Sequence, residues 1–555
     1  MKKIFFLHII LFLFSYRITK AQSWPWAKCT SGNGTEYGLS TATDTLGNVF
    51  TSNSFNSPTI TIGTYSFTNT GGYSIYTAKY DSNGNVLWAA NGNATGVGQS
   101  WARSICTDLV GNAIISGYFE TTYLYFGTYT LSPSWGNRTI FLTKYDSNGN
   151  VLWAKTFNQN SDCYSNAITT DKLGNIYMTG EFSGTLVLGT CTITSAVSGG
   201  NIFIAKFDPN GNAIWAKFAQ TNWIDGGSSI STDLTGGVYI AGSMKSSTLA
   251  FGTNTVSNNG QQDAILAKYD SNGNALWAIS AGGTTIDYGS SVSTDKLGNS
   301  YFGGSFGSST ISFGTYTLTN PYVGFGDQAF LVKIDPLGNI IWAKNYGGMW
   351  GVAIDCLNSD ANGNTFVTGH CDYTIPIGSY TVNCPPCSAW PIYVASFDPN
   401  GNLLCADGLG SVGYGAALGV ATDKFGNAYI AGSIAYDCTP FVLGTNTLIP
   451  TGMANTFVGK FNCSPVSTKI NSYVLTDNAS IYPNPNNGTF NFDIDRELEN
   501  GELIIFNNIG QKVYSQKINR GKNKIELSNL SNGFYNYSFL ENNIQETNGK
   551  LILEK

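Results

Sequence analysis

The sequence predicts an all-β chain in which seven repeated four-stranded units close on themselves, the N-terminal strand completing the last, followed by a small C-terminal β-domain. Three observations predict it. Of 555 residues, 65 are glycine, 14% are aromatic and 12% are charged, a mix that suits many short strands and tight turns rather than helical bundles or disorder. An Asp-x-x-Gly-Asn motif recurs along most of the chain in two interleaved registers. Near the N-terminus, Trp24-Pro25-Trp26-Ala27-Lys28 matches the segment that ends a unit, as in Trp153-Ala154-Lys155 and Trp342-Ala343-Lys344.

Residues 1–21 read as an export signal. Lys2 and Lys3 precede an apolar run from Ile4 to Phe14, and the small residues Thr19 and Ala21 allow cleavage before Gln22. The run is short for a membrane span, and no later segment is long and apolar enough to be one. The first cysteine, Cys29, lies too far on for a lipid-anchor site. The formal charge of −6, with no Lys/Arg cluster, excludes nucleic acid as a partner.

The repeat decides the fold over residues 22–463. In the first register the Asp positions are 44, 108, 171, 233, 295, 360 and 423. In the second they are 81, 146, 208, 270, 335 and 398, with Asn462 in the next slot. Each motif is a hairpin turn: Asp accepts from the turn's own N–H groups, Pro stands second at Pro209, Pro336 and Pro399, and Gly takes the left-handed position. Flanking residues alternate, as in Ile204-Ala205-Lys206-Phe207 and Ala213-Ile214-Trp215-Ala216. Two hairpins per unit give four strands, and a short segment such as Leu124–Leu131 adds a small excursion. Four-stranded units in series at this period predict a seven-bladed β-propeller. The last unit stops at Gly459-Lys460-Phe461-Asn462, so the strand around Trp26 is expected to complete it and remove the open edge.

Trp88, Trp153, Trp215, Trp277 and Trp342 hold one position per unit, with Cys405 in the sixth slot, and are expected to pack between neighbouring blades. The Asp-Ser-Asn-Gly-Asn turns echo a calcium loop but lack its distal glutamate, so turn chemistry accounts for them. There are 11 cysteines, an odd number, in a compartment that permits disulfides. His370-Cys371 with Cys384-Pro-Pro-Cys387 resembles a zinc site only superficially, and disulfides or buried thiols are the expectation; no metal and no cofactor are assigned.

Two resemblances follow. Asp287-Tyr288-Gly289 leading to Asp295-Lys296-Leu297-Gly298-Asn299-Ser300-Tyr301 resembles the bacterial β-propeller repeats of the SBBP family, which implies fold more than activity. The tail resembles the type A sorting domain of the type IX secretion system of Bacteroidetes. The residues that carry this are Tyr482-Pro483-Asn484-Pro485 with Gly488, Ile504 to Val513 including Gly510, Leu527 to Leu530 and Gly533-Phe534-Tyr535. That resemblance implies a small β-sandwich over 480–555, the secretion machinery as partner, and a secreted or outer-surface location. Residues 464–479 read as the linker.

Catalytic chemistry is sparse. His370 is the only histidine after the signal, and no nucleophile elbow accompanies it. What recurs instead is an aromatic position at the start of each innermost strand: Tyr37, Trp101, Tyr164, Gly226, Tyr288, Trp350 and Tyr414. Acids precede three of them, at Glu36, Asp225 and Asp287. These aromatics with Asp225 and Asp287 are the candidate ligand-binding residues, able to stack on sugars or clamp a peptide; the alternative is that they plug gaps between blades. Trp135, Arg138, Trp223 and Asp327 lie off the pattern. The expected function is a non-catalytic binding protein, an adhesin or a glycan- or protein-recognition scaffold. An extracellular polysaccharide hydrolase or lyase working from paired carboxylates, and a purely structural surface component, are the alternatives.

Overall fold

The computed structural model describes residues 20–133, 138–157, 162–195, 199–220, 225–371, 374–377, 380–383, 391–411, 419–435, 441–465, 479–495, 497–507, 511–542 and 544–554. Most of the export signal, most of the linker, Trp135, Trp223, Cys384, Cys387, Tyr414, Cys438 and Gly510 lie outside them. The chain divides into two compact units, one ending at Pro465 and one beginning at Val466. The described residues are all-β, built from antiparallel strands.

In the first unit each of the first six repeats gives four strands paired in chain order, with the excursion set between the second and third. The fifth repeat is representative, with Asp287–Thr294, Ser300–Phe306, Gln328–Ile334 and Ile340–Tyr346 paired in that order. The last repeat supplies three strands, Gly419–Thr422, Ala428–Ala435 and Ala454–Pro465, and Lys20–Cys29 pairs antiparallel with the third, setting Trp26 opposite Lys460. That is the register in which Trp88 stands opposite Lys79 in the first repeat.

The turns carry the chemistry expected of them. Asp295 Oδ1 accepts from the backbone N–H of Leu297 and Asn299 at 2.9 and 3.0 Å, and Oδ2 accepts from the Asn299 amide at 2.9 Å. The second-register turns use the same bonds and also reach the preceding sheet. The indole N–H of Trp88 donates to the Ser147 carbonyl at 3.0 Å, and that of Trp277 to Pro336 at 3.2 Å. The turn glycine is what lets the ring approach: Gly149 has φ +88°, and a Cβ there would stand 2.7 Å from the Trp88 ring. Trp26 meets Gly84 and the Ser82 carbonyl in the same way, so the N-terminal strand presents its tryptophan to the first repeat.

Between the sixth and seventh repeats the tryptophan slot holds Cys405. It is disulfide-bonded to Cys463, the residue after Asn462 and hence the counterpart of the turn residue that accepts the indole elsewhere. A covalent link stands there in place of a stacked ring.

The first strands are joined by a relay of hydroxyls from the residue before the first-register Asp in six of the seven repeats, the sixth repeat's Ser359 hydroxyl bonding Thr365 instead. Thr107 donates to the Thr43 carbonyl, Thr170 to Thr107, Thr232 to Thr170 and Thr294 to Thr232, at 2.7–2.9 Å. Thr43 donates to the Thr422 carbonyl at 2.7 Å and Thr422 to Ser359 at 3.3 Å. Lysines behind the turns add buried ion pairs, such as Lys144–Asp108 at 3.0 Å.

The short excursions are two-stranded hairpins, for example Thr310–Phe313 with Tyr316–Thr319. The hairpin of the second repeat adds to the outer strand of the first sheet, pairing Tyr123–Phe126 with residues 92–95. It therefore covers an edge that would otherwise be open. In the second unit a three-stranded and a four-stranded sheet share one apolar cluster that includes Phe490, Phe492, Leu503, Ile505, Phe539 and Leu551.

Candidate functional site

Each first strand begins on the side of its sheet opposite the Asp turns, and there the candidate aromatics lie. Tyr37, Tyr73 and Trp101 form a cluster across the first and second sheets. The Tyr37–Trp101 centroids are 4.9 Å apart, and Tyr73 stacks on Trp101 at 5.2 Å with planes 20° apart. Burial, with Tyr37 beside it, pushes the Tyr73 hydroxyl up to about 12. Tyr164 meets Tyr118 edge-on at 5.1 Å and carries the Arg138 guanidinium 4.8 Å from its ring centroid. Arg138 is in turn held by Glu120 at 2.6 Å and Asp162 at 3.9 Å. Tyr288 and Trp350 are the open members, 44% and 52% exposed, but Trp350 does not begin a first strand as expected: it lies in a turn, and the position equivalent to Tyr288 in the sixth repeat is Ala353. Tyr414 lies outside the described residues.

The two acids expected beside these rings are corrected by the structure. Asp225 is 1% exposed and accepts from the Lys245 and Ser246 N–H groups at 2.6 and 3.1 Å and from the Ser246 hydroxyl at 2.6 Å. Asp287 is fully buried and accepts from Gly283 and Ser308 N–H and from the Ser308 hydroxyl. Their oxygens are committed to loop backbone, so they brace the connection between sheets instead of facing a ligand. Glu36 bonds Ser57, and Ser100 bonds Thr121, at the same spacing of 21 residues. The off-pattern Asp327 is exposed, and desolvation by its surroundings followed by the Asp287 charge raises its carboxyl.

A feature that sequence reasoning missed lies at the centre of the first unit. One cavity of about 410 Å³ is lined by the first strands of all seven repeats. Every described first strand that carries a complete pairing slips by one residue at the same place. Arg103 is skipped between Ala102 and Ser104, Asn166 between Ser165 and Ala167, Ser228 between Gly227 and Ser229, and Ser290 between Gly289 and Ser291. In the sixth repeat the pairing runs from Val352↔Cys371 to Cys356↔Thr368, again one residue longer on the first strand, with Asp355 inside it. Such bulges re-aim a side chain, and these five residues all line the cavity. The signal that could have found them is position: each stands five residues before its first-register Asp.

A second position, ten residues after that Asp, is serine at Ser54, Ser243, Ser305 and Ser433. Three of these accept a backbone N–H from the next sheet: Ser433 from Gly38, Ser54 from Ala102 and Ser243 from Gly289, at 2.8–3.1 Å. Tyr118, Glu181 and His370 replace it elsewhere. Glu181 explains why Gly226 breaks the aromatic series, since a Cβ at 226 would lie 2.7 Å from Glu181 Oε1. Burial raises the Glu181 carboxyl, opposed by the Asn166 amide and the Arg103 charge. His370 Nδ1 stands 3.0 Å from Asp355 Oδ2.

Comparison with known proteins bears on the repeat and on the tail. The model described as a secretion system C-terminal sorting domain matches residues 480–554, and that of a β-propeller repeat matches residues 156–181. A WD repeat-containing protein of Acanthamoeba polyphaga mimivirus is 23% identical over 446 residues, covering 67% of this chain and 32% of its own length. Among solved structures, a fungal alcohol oxidase of the AA5 family, in complex with copper, is similar at 12% identity and a TM-score of 0.39, covering 96% of this chain and 99% of its own. Regucalcin, a calcium-binding protein of Agrobacterium tumefaciens, is similar at 9% and 0.27, covering 63% and 87%. Those scores are too low to carry an argument about function. In the tail, Asn486 exchanges backbone bonds with Ile552 and Glu554 at 3.0 and 2.8 Å, tying the Tyr482-Pro483-Asn484-Pro485 segment to the last strand. The chain thus carries an SBBP-type β-propeller repeat and a type IX secretion sorting domain, the tail that marks proteins for the cell surface or the outside.

Proposed function

We propose that the first unit is a closed seven-bladed propeller, that the second is a β-sandwich, and that the exported protein is a non-catalytic binding scaffold whose recognition surface is the aromatic-bearing rim. The ring reading is supported by the Thr hydroxyl relay, which passes from the first repeat to the last, and by Trp26 standing where the other tryptophans stand. The binding reading rests on one observation above the rest. Tyr288, at the start of the fifth repeat's first strand, and Trp350, in the turn that leads into the sixth's, leave 44% and 52% of their surface open on the same side of the sheets. Exposed rings at a rigid rim offer stacking area for sugar faces or peptide side chains at little conformational cost.

Glycan-array and peptide-array binding of the mature chain, repeated with Tyr288→Ala and Trp350→Ala, tests this. Each variant is expected to weaken binding about tenfold, in line with the 1–2 kcal/mol typical of an aromatic contact. Unchanged binding in both would overturn the rim as the site. Turnover of a polysaccharide panel by the mature chain would replace the scaffold reading with the hydrolase one.

A further inference from the structure

In a repeat protein the default side chain at a given position belongs to the scaffold, and departures from it mark what the scaffold carries. Here the fourth and fifth repeats show the default around the cavity, with serine both at the bulge and at the second-strand position. The polar departures lie on two walls, while the first and seventh repeats carry leucine at the bulge position, Leu39 and Leu418. The second and third repeats place Arg103 and Tyr118, then Asn166 and Glu181; the sixth places Asp355 and His370. Counted around a ring of seven, the sixth repeat faces the junction of the second and third. The two walls therefore oppose each other across the cavity, one bearing a guanidinium and the other a carboxylate.

Four of the lining hydroxyls are spoken for. Ser40, Ser104, Ser229 and Ser291 each accept a backbone N–H from the next innermost strand at 3.1–3.2 Å, so they serve the ring and are poor acceptors for a ligand. Arg103 is different. It is exposed on the cavity wall and, among the described residues, makes no hydrogen bond or salt bridge. Burial raises the carboxyl of Glu181 beside it, which accepts from the Asn166 amide at 3.4 Å. A guanidinium in a concave polar site selects a carboxylate through paired N–H donors. On the opposite wall Asp355 is fixed by His370 and partly exposed, an arrangement that accepts an ammonium group.

We propose that this cavity binds a small zwitterion of amino-acid to dipeptide size, its carboxylate on Arg103 and its ammonium on Asp355. The volume of about 410 Å³ suits such a ligand and falls within the range of small-molecule pockets. The proposal rests on the ring arrangement put forward above but is independent of the aromatic rim.

Titration calorimetry of the full mature chain with glycylglycine and alanylalanine tests it, beside their N-acetylated and C-amidated forms. The free dipeptides are expected to bind, and blocking either end is expected to weaken binding at least tenfold. Arg103→Gln should weaken the free dipeptide at least tenfold and erase the penalty of C-amidation. Asp355→Asn should do the same for N-acetylation. The blocked ligands make the test on the unaltered protein, so it does not depend on either variant folding. Equal binding of free and blocked dipeptides, or no binding at millimolar ligand, overturns the proposal. So does binding of a neutral disaccharide that displaces the dipeptide and ignores Arg103→Gln. Dipeptide binding that survives Tyr288→Ala and Trp350→Ala, in a protein that recognises no glycan or peptide on the arrays, would sink the rim reading and leave this one standing.

Discussion

Two buried aspartates are treated in opposite ways by their surroundings. Burial opposes the charge of Asp108, but Lys144 at 3.0 Å and the Asn112 N–H at 2.9 Å outweigh it and hold the carboxyl below its ordinary value. Its folded state is the stronger acid, so its contribution is present above the unfolded pKa and lost as pH falls through the lower folded value. Asp263 receives one backbone N–H, from Asn259 at 2.9 Å, while its Oδ1 is buried without a hydrogen-bond partner. Burial, and the Asp287 charge after it, push its pKa from 3.8 to about 6. Here the folded state takes up the proton first, so stability is fully present below the unfolded pKa and falls as pH rises through about 6. Asp263→Asn removes that loss. The variant is expected to be more stable than the parent by about 2 kcal/mol at pH 7.5, with the difference shrinking towards pH 4. Thermal melts across that range check it, and a variant less stable at pH 7.5 would show that the ionised carboxylate is needed.

At the scale of single elements the turns were legible in the sequence and the bulges were not. A turn needs Asp to gather its own N–H groups and Gly to take a positive φ, so identity is constrained and repeats visibly. A bulge constrains only pairing: Arg103, Asn166, Ser228, Ser290 and Asp355 share a place in the strand and little chemistry, so they leave no motif. The tryptophan slot was legible for the same reason as the turns, because an indole must find a carbonyl and a glycine. Asp225 and Asp287 misled because an acid beside a ring reads as recognition, whereas the serine that each bonds 21 residues later lies too far off in sequence to register. The sixth slot offers a test of the slot idea. If the Cys405–Cys463 bond does the work of the missing ring, Cys405→Ser with Cys463→Ser should destabilise by about 2–4 kcal/mol. Protection from hydrogen exchange should then fall first in Leu403–Ser411 and Ala454–Pro465. Loss spread evenly over all the sheets would argue that the bond has no local role.

For the whole molecule the question is whether the sheets close, and the N-terminal strand decides it. Without Lys20–Cys29 the strand Ala454–Pro465 becomes an open edge, and Trp26 no longer fills the space over Gly84. Each lost large apolar contact costs about 3–5 kcal/mol in a core, and an unpaired edge recruits other chains. A mature chain beginning at Ser31 is therefore expected to melt at least 10 °C lower and to elute as larger species at rising concentration, as sedimentation or gel filtration would record. The deletion alone could act through lost area anywhere, so connectivity has to be separated from closure. The third and fourth strands of the other sheets are joined by an Asp turn, and Trp26 lies opposite Lys460 in the register that such a turn produces. A circular permutant that joins Cys463 to Trp24 through Asn-Gly-Asn, and begins at Ser31, makes the last repeat covalently like the rest. If the strand is the fourth of a closing sheet, this permutant recovers the parental melting temperature and stays monomeric. If it remains as unstable as the deletion, the pairing of Lys20–Cys29 with Ala454–Pro465 is not what holds the ring.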